Sequence, residues 1–160
     1  MRFFYSFLLY LLKQINYFMY HFIQKFHSGW AYLALLLLVI AVFNSFSGWF
    51  AKREFTAKDK RIALFGLIAT HLQLVIGFVL YFLSPKGLES LGQMEEAELR
   101  LTSLEHPLVN ILAIILITIG WSRHKKAIAS DLKFKSIFVF YMLGLVLILV
   151  RLPWKAWFGI

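Results

Sequence analysis

Four apolar runs constrain this chain more than any other feature. They lie at about residues 26–49, 62–83, 106–122 and 136–152. A helix needs roughly 20 apolar residues to cross a hydrocarbon core of about 30 Å. The segments between the runs are too short to bury a soluble core. The whole chain is 61% hydrophobic with mean hydropathy +0.73, well above a soluble domain, which is nearer half apolar. The expected fold is therefore an all-α membrane protein: a four-transmembrane-helix up-down bundle over residues 25–157, with the lipid bilayer as its surroundings.

Residues 1–24 are aromatic and apolar, with Arg2, Lys13, Gln14 and Gln24 interspersed. A charged start and an apolar middle fit a signal peptide loosely, but no small-residue cleavage site follows. We expect an extra N-terminal amphipathic helix at the membrane interface rather than a further span. Met19-Tyr20-His21 could also be the natural beginning, with the first 18 residues an upstream extension.

The formal net charge is +9. In a soluble protein that would raise nucleic acid as a partner. Here the basic residues sit in short loops, so no nucleic-acid partner is expected. Loops 50–61 and 123–135 carry five Lys or Arg each. The loop from Ser84 to Glu105 carries only Lys86 and Arg100, with five glutamates. Short basic loops stay on the cytoplasmic side, which places loops 50–61 and 123–135 there and the acidic loop opposite.

The chain has no cysteine. That excludes disulfides, cysteine-held iron–sulfur clusters and covalently attached c-type haem. Histidine is left as the ligand for any metal or haem.

The third run opens with Glu105-His106-Pro107. Steps of four and three from its histidine give His106, Asn110, Ala113, Ile117, Gly120 and His124, one helix face. That face is smaller and more polar than the rest of the run. In the first run the same steps give His27, Ala31, Ala34, Leu38, Ala41, Ser45 and Gly48. Such a line of small residues most often packs a neighbouring helix; it also leaves room for a flat cofactor. In the second run Gly66, Thr70, Gln73, Gly77 and Tyr81 make a similar stripe, with His71 about 100° away.

Depth sorts the histidines. His27 and His106 lie at the same end of their runs, and His71 sits about 10 Å deeper. Helices one and three of an up-down bundle are diagonal across the core. His27 and His106 can thus ligate the two faces of one haem iron, and two imidazoles favour electron transfer over oxygen chemistry. His71 would lie beneath the ring as a proton relay or quinone contact. A His71–His106 pair is the alternative, and it needs a tilted ring or a shifted boundary. Arg151 is either a helix-end charge or a partner for a haem propionate. His124, among Lys and Arg, reads as a solvated or headgroup residue, and His21 similarly. Both His27 and His106 also have a plain reading as interfacial residues without a ligand. Met94 and Met142 are poorly placed as axial ligands.

The run His27-Ser28, then Thr70-His71-Leu72-Gln73-Leu74 with Gly77, Glu105-His106, Ile115–Gly120 and Leu152-Pro153-Trp154 resembles a family of small four-span membrane proteins of Bacteroidetes, labelled cytochrome b or cytochrome b-like. The resemblance covers about residues 20–157. It implies a four-helix bundle in the bacterial inner (cytoplasmic) membrane with non-covalent haem b, and it carries over His27, His71 and His106 but not His21 or His124. The long start departs from the family.

The expected function is that of a small b-type cytochrome passing electrons between a membrane donor, such as a quinol, and a redox partner protein. Two alternatives stand beside it. One is a non-haem membrane subunit that stabilises a larger respiratory or transport complex. The other is a haem-binding membrane enzyme of porphyrin metabolism. No paired carboxylates, phosphate loop or nucleophile triad points to another reaction.

Overall fold

A computed structural model describes residues 2–158, with side chains over 4–155 and at 157. Its elements are α1 (Arg2–Phe50), α2 (Ala57–Leu83), the single turn α3 (Ala97–Arg100), α4 (His106–Lys126), α5 (Ser130–Val150) and the short α6 (Trp154–Phe158). A π-helical turn, Leu101–Glu105, joins α3 to α4. There is no strand among the described residues. Four helical stretches are long and apolar enough to cross a membrane: Phe4–Phe50, Ala57–Leu83, Ala97–Lys126 and Ser130–Val150.

In the four-helix core α1 packs on α2 and α5, and α4 packs on α5 and α2. So α1 lies diagonally opposite α4, as the up-down order requires. Two glycines let α4 and α5 approach closely. A Cβ on Gly120 would meet the Phe140 Cβ at 2.7 Å, and one on Gly144 would meet the Ile117 Cγ1 at 2.7 Å. Without a water-driven attraction between helices in lipid, close packing of this kind supplies much of the contact energy. The small-residue stripes are the buried faces: Ala31, Ala34, Leu38, Ala41 and Ser45 on α1, and Ala113, Ile117 and His124 on α4. Tyr141 of α5, fully buried, donates its hydroxyl to the Ala63 carbonyl of α2 at 3.0 Å and so ties the other diagonal.

The start of the chain differs from expectation. No separate amphipathic helix precedes the first span; residues 2–24 simply continue α1. The stretch Gln24-Lys25-Phe26 contains no proline, glycine or capping residue, so nothing stops the helix there. At 49 residues α1 is about 74 Å long, more than twice a bilayer core. Every side chain from Phe4 to Met19 is exposed, so this half makes no part of the bundle core.

The loop 50–61 end is closed by a polar network. Thr56 caps α2 and forms a capping box with Asp59. Asp59 is buried at 2% exposure. It accepts from both Arg53 guanidinium nitrogens at 2.8 and 2.6 Å and from the Asn44 amide at 2.9 Å. A buried carboxylate is tolerated because charge-assisted hydrogen bonds surround it. The guanidinium also lies 4.6 Å from the Phe134 ring centre, and Phe134 fills the space that Gly48 leaves open.

Candidate functional site: a histidine-walled cavity

At the other end α4 begins in an unusual way. Pro107 has no N–H, so the carbonyl four residues earlier, Ser103, loses its helical donor. The π-helical turn takes up the misfit, as such turns often do near functional sites. The Tyr81 hydroxyl of α2 then donates to the Ser103 carbonyl at 3.0 Å. This contact fixes the start of α4 against α2, and with it the position of His106.

His106 is oriented by a second contact. Its Nδ1 lies 2.8 Å from the Arg151 carbonyl at the end of α5. A carbonyl can only accept, so Nδ1 carries the proton and Nε2 keeps its lone pair. The neighbouring Asn110 amide donates to the His106 carbonyl at 2.6 Å. A ring held through Nδ1–H with Nε2 open is the arrangement that metal-binding histidines use.

His27, on α1, stands across the diagonal. The His27 and His106 ring centres are 6.4 Å apart, with planes at 76°. The Gln73 amide nitrogen donates to the His27 carbonyl at 3.1 Å and lies 3.2 Å from each of its ring nitrogens. That donation fixes which end of the Gln73 amide is nitrogen. Its oxygen, Oε1, is buried with no partner among the described residues. Gly77, one turn on, keeps the space beside the ring free: a Cβ there would lie 3.2 Å from His27 Cε1.

Both histidines line one cavity of about 910 Å³, together with Ala31, Ala34, Thr70, Gln73, Gly77, Tyr81 and Asn110. Lys25, Lys86, Arg151 and Lys155 also line it, with Glu98 as the acidic counterpart. Lys86 pairs with Glu98, and Glu105 bridges Arg100 at 3.0 Å and Arg151 at 3.4 Å. Arg151, expected as a propionate partner or a free helix-end charge, thus holds a carboxylate and supplies its carbonyl to His106.

His71 is placed elsewhere. Its Nδ1 donates to the Leu67 carbonyl at 2.8 Å, and Nε2 lies 3.2 Å from the Thr118 hydroxyl of α4. It does not line the cavity. Thr118 is twelve residues along α4 from His106, about 18 Å, so the fold does not bring His71 and His106 together. The 100° offset of His71 from the α2 stripe decides this: the stripe faces the cavity and His71 faces α4. His124 also departs from expectation. It is buried, not solvated. Its Nδ1 donates to the Trp121 carbonyl at 2.6 Å, and the Phe55 and Trp121 rings lie 5.7 and 4.3 Å away.

A metal–imidazole bond is about 2 Å long, which puts two rings on one metal about 6 Å apart between centres; the observed separation is 6.4 Å. Ala31, Ala34 and Gly77 line the cavity beside larger side chains such as Leu74, Phe78 and Trp157. No cluster of three or more His, Cys, Asp or Glu occurs among the described residues. Sequence reading missed Gln73 as a partner of His27 and Lys25, Lys86 and Lys155 as cavity residues. The Gln73–Gly77 stripe was the available signal for the first; lysines far apart in sequence gave none for the second. Comparison with known proteins gives no matching family model, no matching characterised protein and no matching solved structure.

Proposed function

We propose that the chain is a small membrane b-type cytochrome, holding one haem b between His27 and His106 and passing electrons from a membrane donor, a quinol being the simplest, to a partner protein. The observation that supports it most is the pair itself. Two half-buried histidines on diagonal helices share one cavity with ring centres at a two-imidazole separation. His27 and His106 would hold the haem, which would supply one-electron transfer when bound. The chain's own part is to bind and orient. Arg151 fixes the His106 tautomer through its carbonyl, Gln73 and Gly77 position His27, and Lys25 and Lys155 place positive charge at the cavity for the ring's carboxylates.

The reading includes the bacterial inner membrane, with loops 50–61 and 123–135 cytoplasmic by their basic charge. The cavity then opens to the opposite face. An absorption spectrum of the protein purified in detergent, oxidised and reduced, tests the proposal. A Soret band with sharpened reduced bands is expected. A colourless protein that takes up no added haemin would overturn it and favour a non-haem subunit of a larger membrane complex. Turnover of a porphyrin substrate would favour the enzyme of porphyrin metabolism.

A further inference from the structure

At the opposite end of the bundle, the start of α2, the end of α4 and the start of α5 enclose a second cleft of about 440 Å³. It is lined by Lys60, His124, Lys125 and Lys133 with Phe55, Thr56 and Ala57. No acidic side chain lines it. Asp59, next along α2, is already bound by Arg53, Asn44 and Thr56, and all three lysines act electrostatically on His124. Like charges gathered this way repel one another unless an anion sits among them. Lys133 is also held over the Phe55 ring at 5.8 Å, which keeps its ammonium at the cleft. The free N–H groups of the α2 start add to the positive field. His124 binds the Trp121 carbonyl through Nδ1, and its Nε2 donates to an anion only when the ring takes a second proton, so the lysines carry the site.

We propose that this cleft binds the phosphate group of an anion, and that the source is the headgroup of an anionic phospholipid. The neighbouring loop argues for the lipid source. Ile128, between Lys125 and Lys133, is 94% exposed. A fully exposed isoleucine flanked by lysines fits the boundary where acyl chains meet headgroups, and basic pockets between helix ends are suited to anionic headgroups. The site is separate from the histidine cavity and does not depend on haem.

The test uses the full chain in nanodiscs. Phosphatidylcholine discs are compared with discs containing phosphatidylglycerol, and lipid retained on the released protein is counted by native mass spectrometry. The variant K60Q/K125Q/K133Q is set against K52Q/K58Q/K126Q, which removes the same charge from lysines outside the cleft. The cleft variant is expected to lose retained phosphatidylglycerol by on the order of tenfold relative to the control triple. Circular dichroism confirms that each variant is folded. Titration of inorganic phosphate into phosphatidylcholine discs separates the sources. Cleft-dependent phosphate binding without phosphatidylglycerol retention keeps the anion site and overturns the lipid source. Equal loss in both triples, or no cleft-dependent binding of either probe, overturns the site.

Discussion

The imidazole rings of His27 and His106 face each other across the bundle diagonal, 6.4 Å between centres and 76° between planes. They lie 79 positions apart in the 160-residue sequence, yet each is pinned by a different neighbour: His27 by Gln73 and His106 by the Arg151 carbonyl. If they are the axial pair, the wild type gives a low-spin spectrum. H27A and H106A should each lose the haem or leave it high-spin and five-coordinate. H71A should leave the spectrum unchanged, since His71 bonds Leu67 and Thr118 outside the cavity. Optical and electron paramagnetic resonance spectra of the three variants decide it. Loss of haem in H71A with an intact spectrum in H27A would shift the site to His71.

Gly77 offers a steric test of the same site without touching a ligand. A Cβ there already meets His27 Cε1 at 3.2 Å, so G77L drives the ring from its place. The expected result is a protein of wild-type helicity that retains at most about a tenth of the haem, a loss equivalent to roughly 1.4 kcal/mol of binding free energy. G77A should be much milder. Full haem in G77L would show that the ring can move without consequence.

Topology can be tested cleanly because the chain has no cysteine. Ser90 and Ser130 look like natural label sites by position, but both are engaged: Ser90 is buried and bonds the Pro85 carbonyl, and Ser130 accepts from the Phe55 N–H. Glu95 and Asp131 are exposed. E95C should react with an impermeant maleimide on intact cells, and D131C only after lysis. The reverse pattern would invert the orientation.

The four long apolar helices were legible because their runs are of sufficient apolar length, and the boundaries at Leu83 and His106 fell where proline and loop residues cluster. The small-residue stripes of α1 and α4 were legible as buried faces by their period. The His27–His106 proximity followed from depth and up-down order alone. What was not legible needed tertiary neighbours. His71 could be assigned a depth but not a facing partner. His124 looked solvated because Lys and Arg surround it in sequence; in space Phe55 covers it. The continuation of α1 through residues 2–24 was missed because aromatic-rich, all-exposed sequence resembles an interfacial helix, while the absence of any stop signal carried the answer.

The Asp59 network should matter more than its surface position implies. Asp59 caps α2 through the box with Thr56 and holds Asn44 and Arg53. D59A removes the Asp59 half of the capping box while Thr56 keeps the cap, and the donors it frees on Asn44, Arg53 and Thr56 are half-buried or exposed, so it should cost at most about 1 kcal/mol. R53A should cost more, about 1–3 kcal/mol, because it leaves the buried Asp59 carboxylate without its charged partner. Thermal unfolding in detergent, followed by circular dichroism, should rank R53A below D59A below wild type. Equal stability of R53A and wild type would mean that water replaces the network at no cost.

Pro107 and Tyr81 make a coupled pair. Proline removes the N–H that would reach the Ser103 carbonyl, and the Tyr81 hydroxyl supplies a donor in its place. Y81F leaves that carbonyl without a donor and should cost about 1–2 kcal/mol, loosening the π-helical turn and the seat of His106. In P107A the backbone regains its N–H and can satisfy Ser103 from within α4, so Tyr81 becomes dispensable. A double-mutant cycle on unfolding free energy should therefore show Y81F costing less in the P107A background, with a coupling of about 0.5–1 kcal/mol. P107A alone should also shift the His106-linked spectrum, because straightening the π-helical turn rotates the residues before it by part of a turn. An additive cycle would show that the two groups act on α4 independently and that the turn before His106 is set by something other than the missing proline donor.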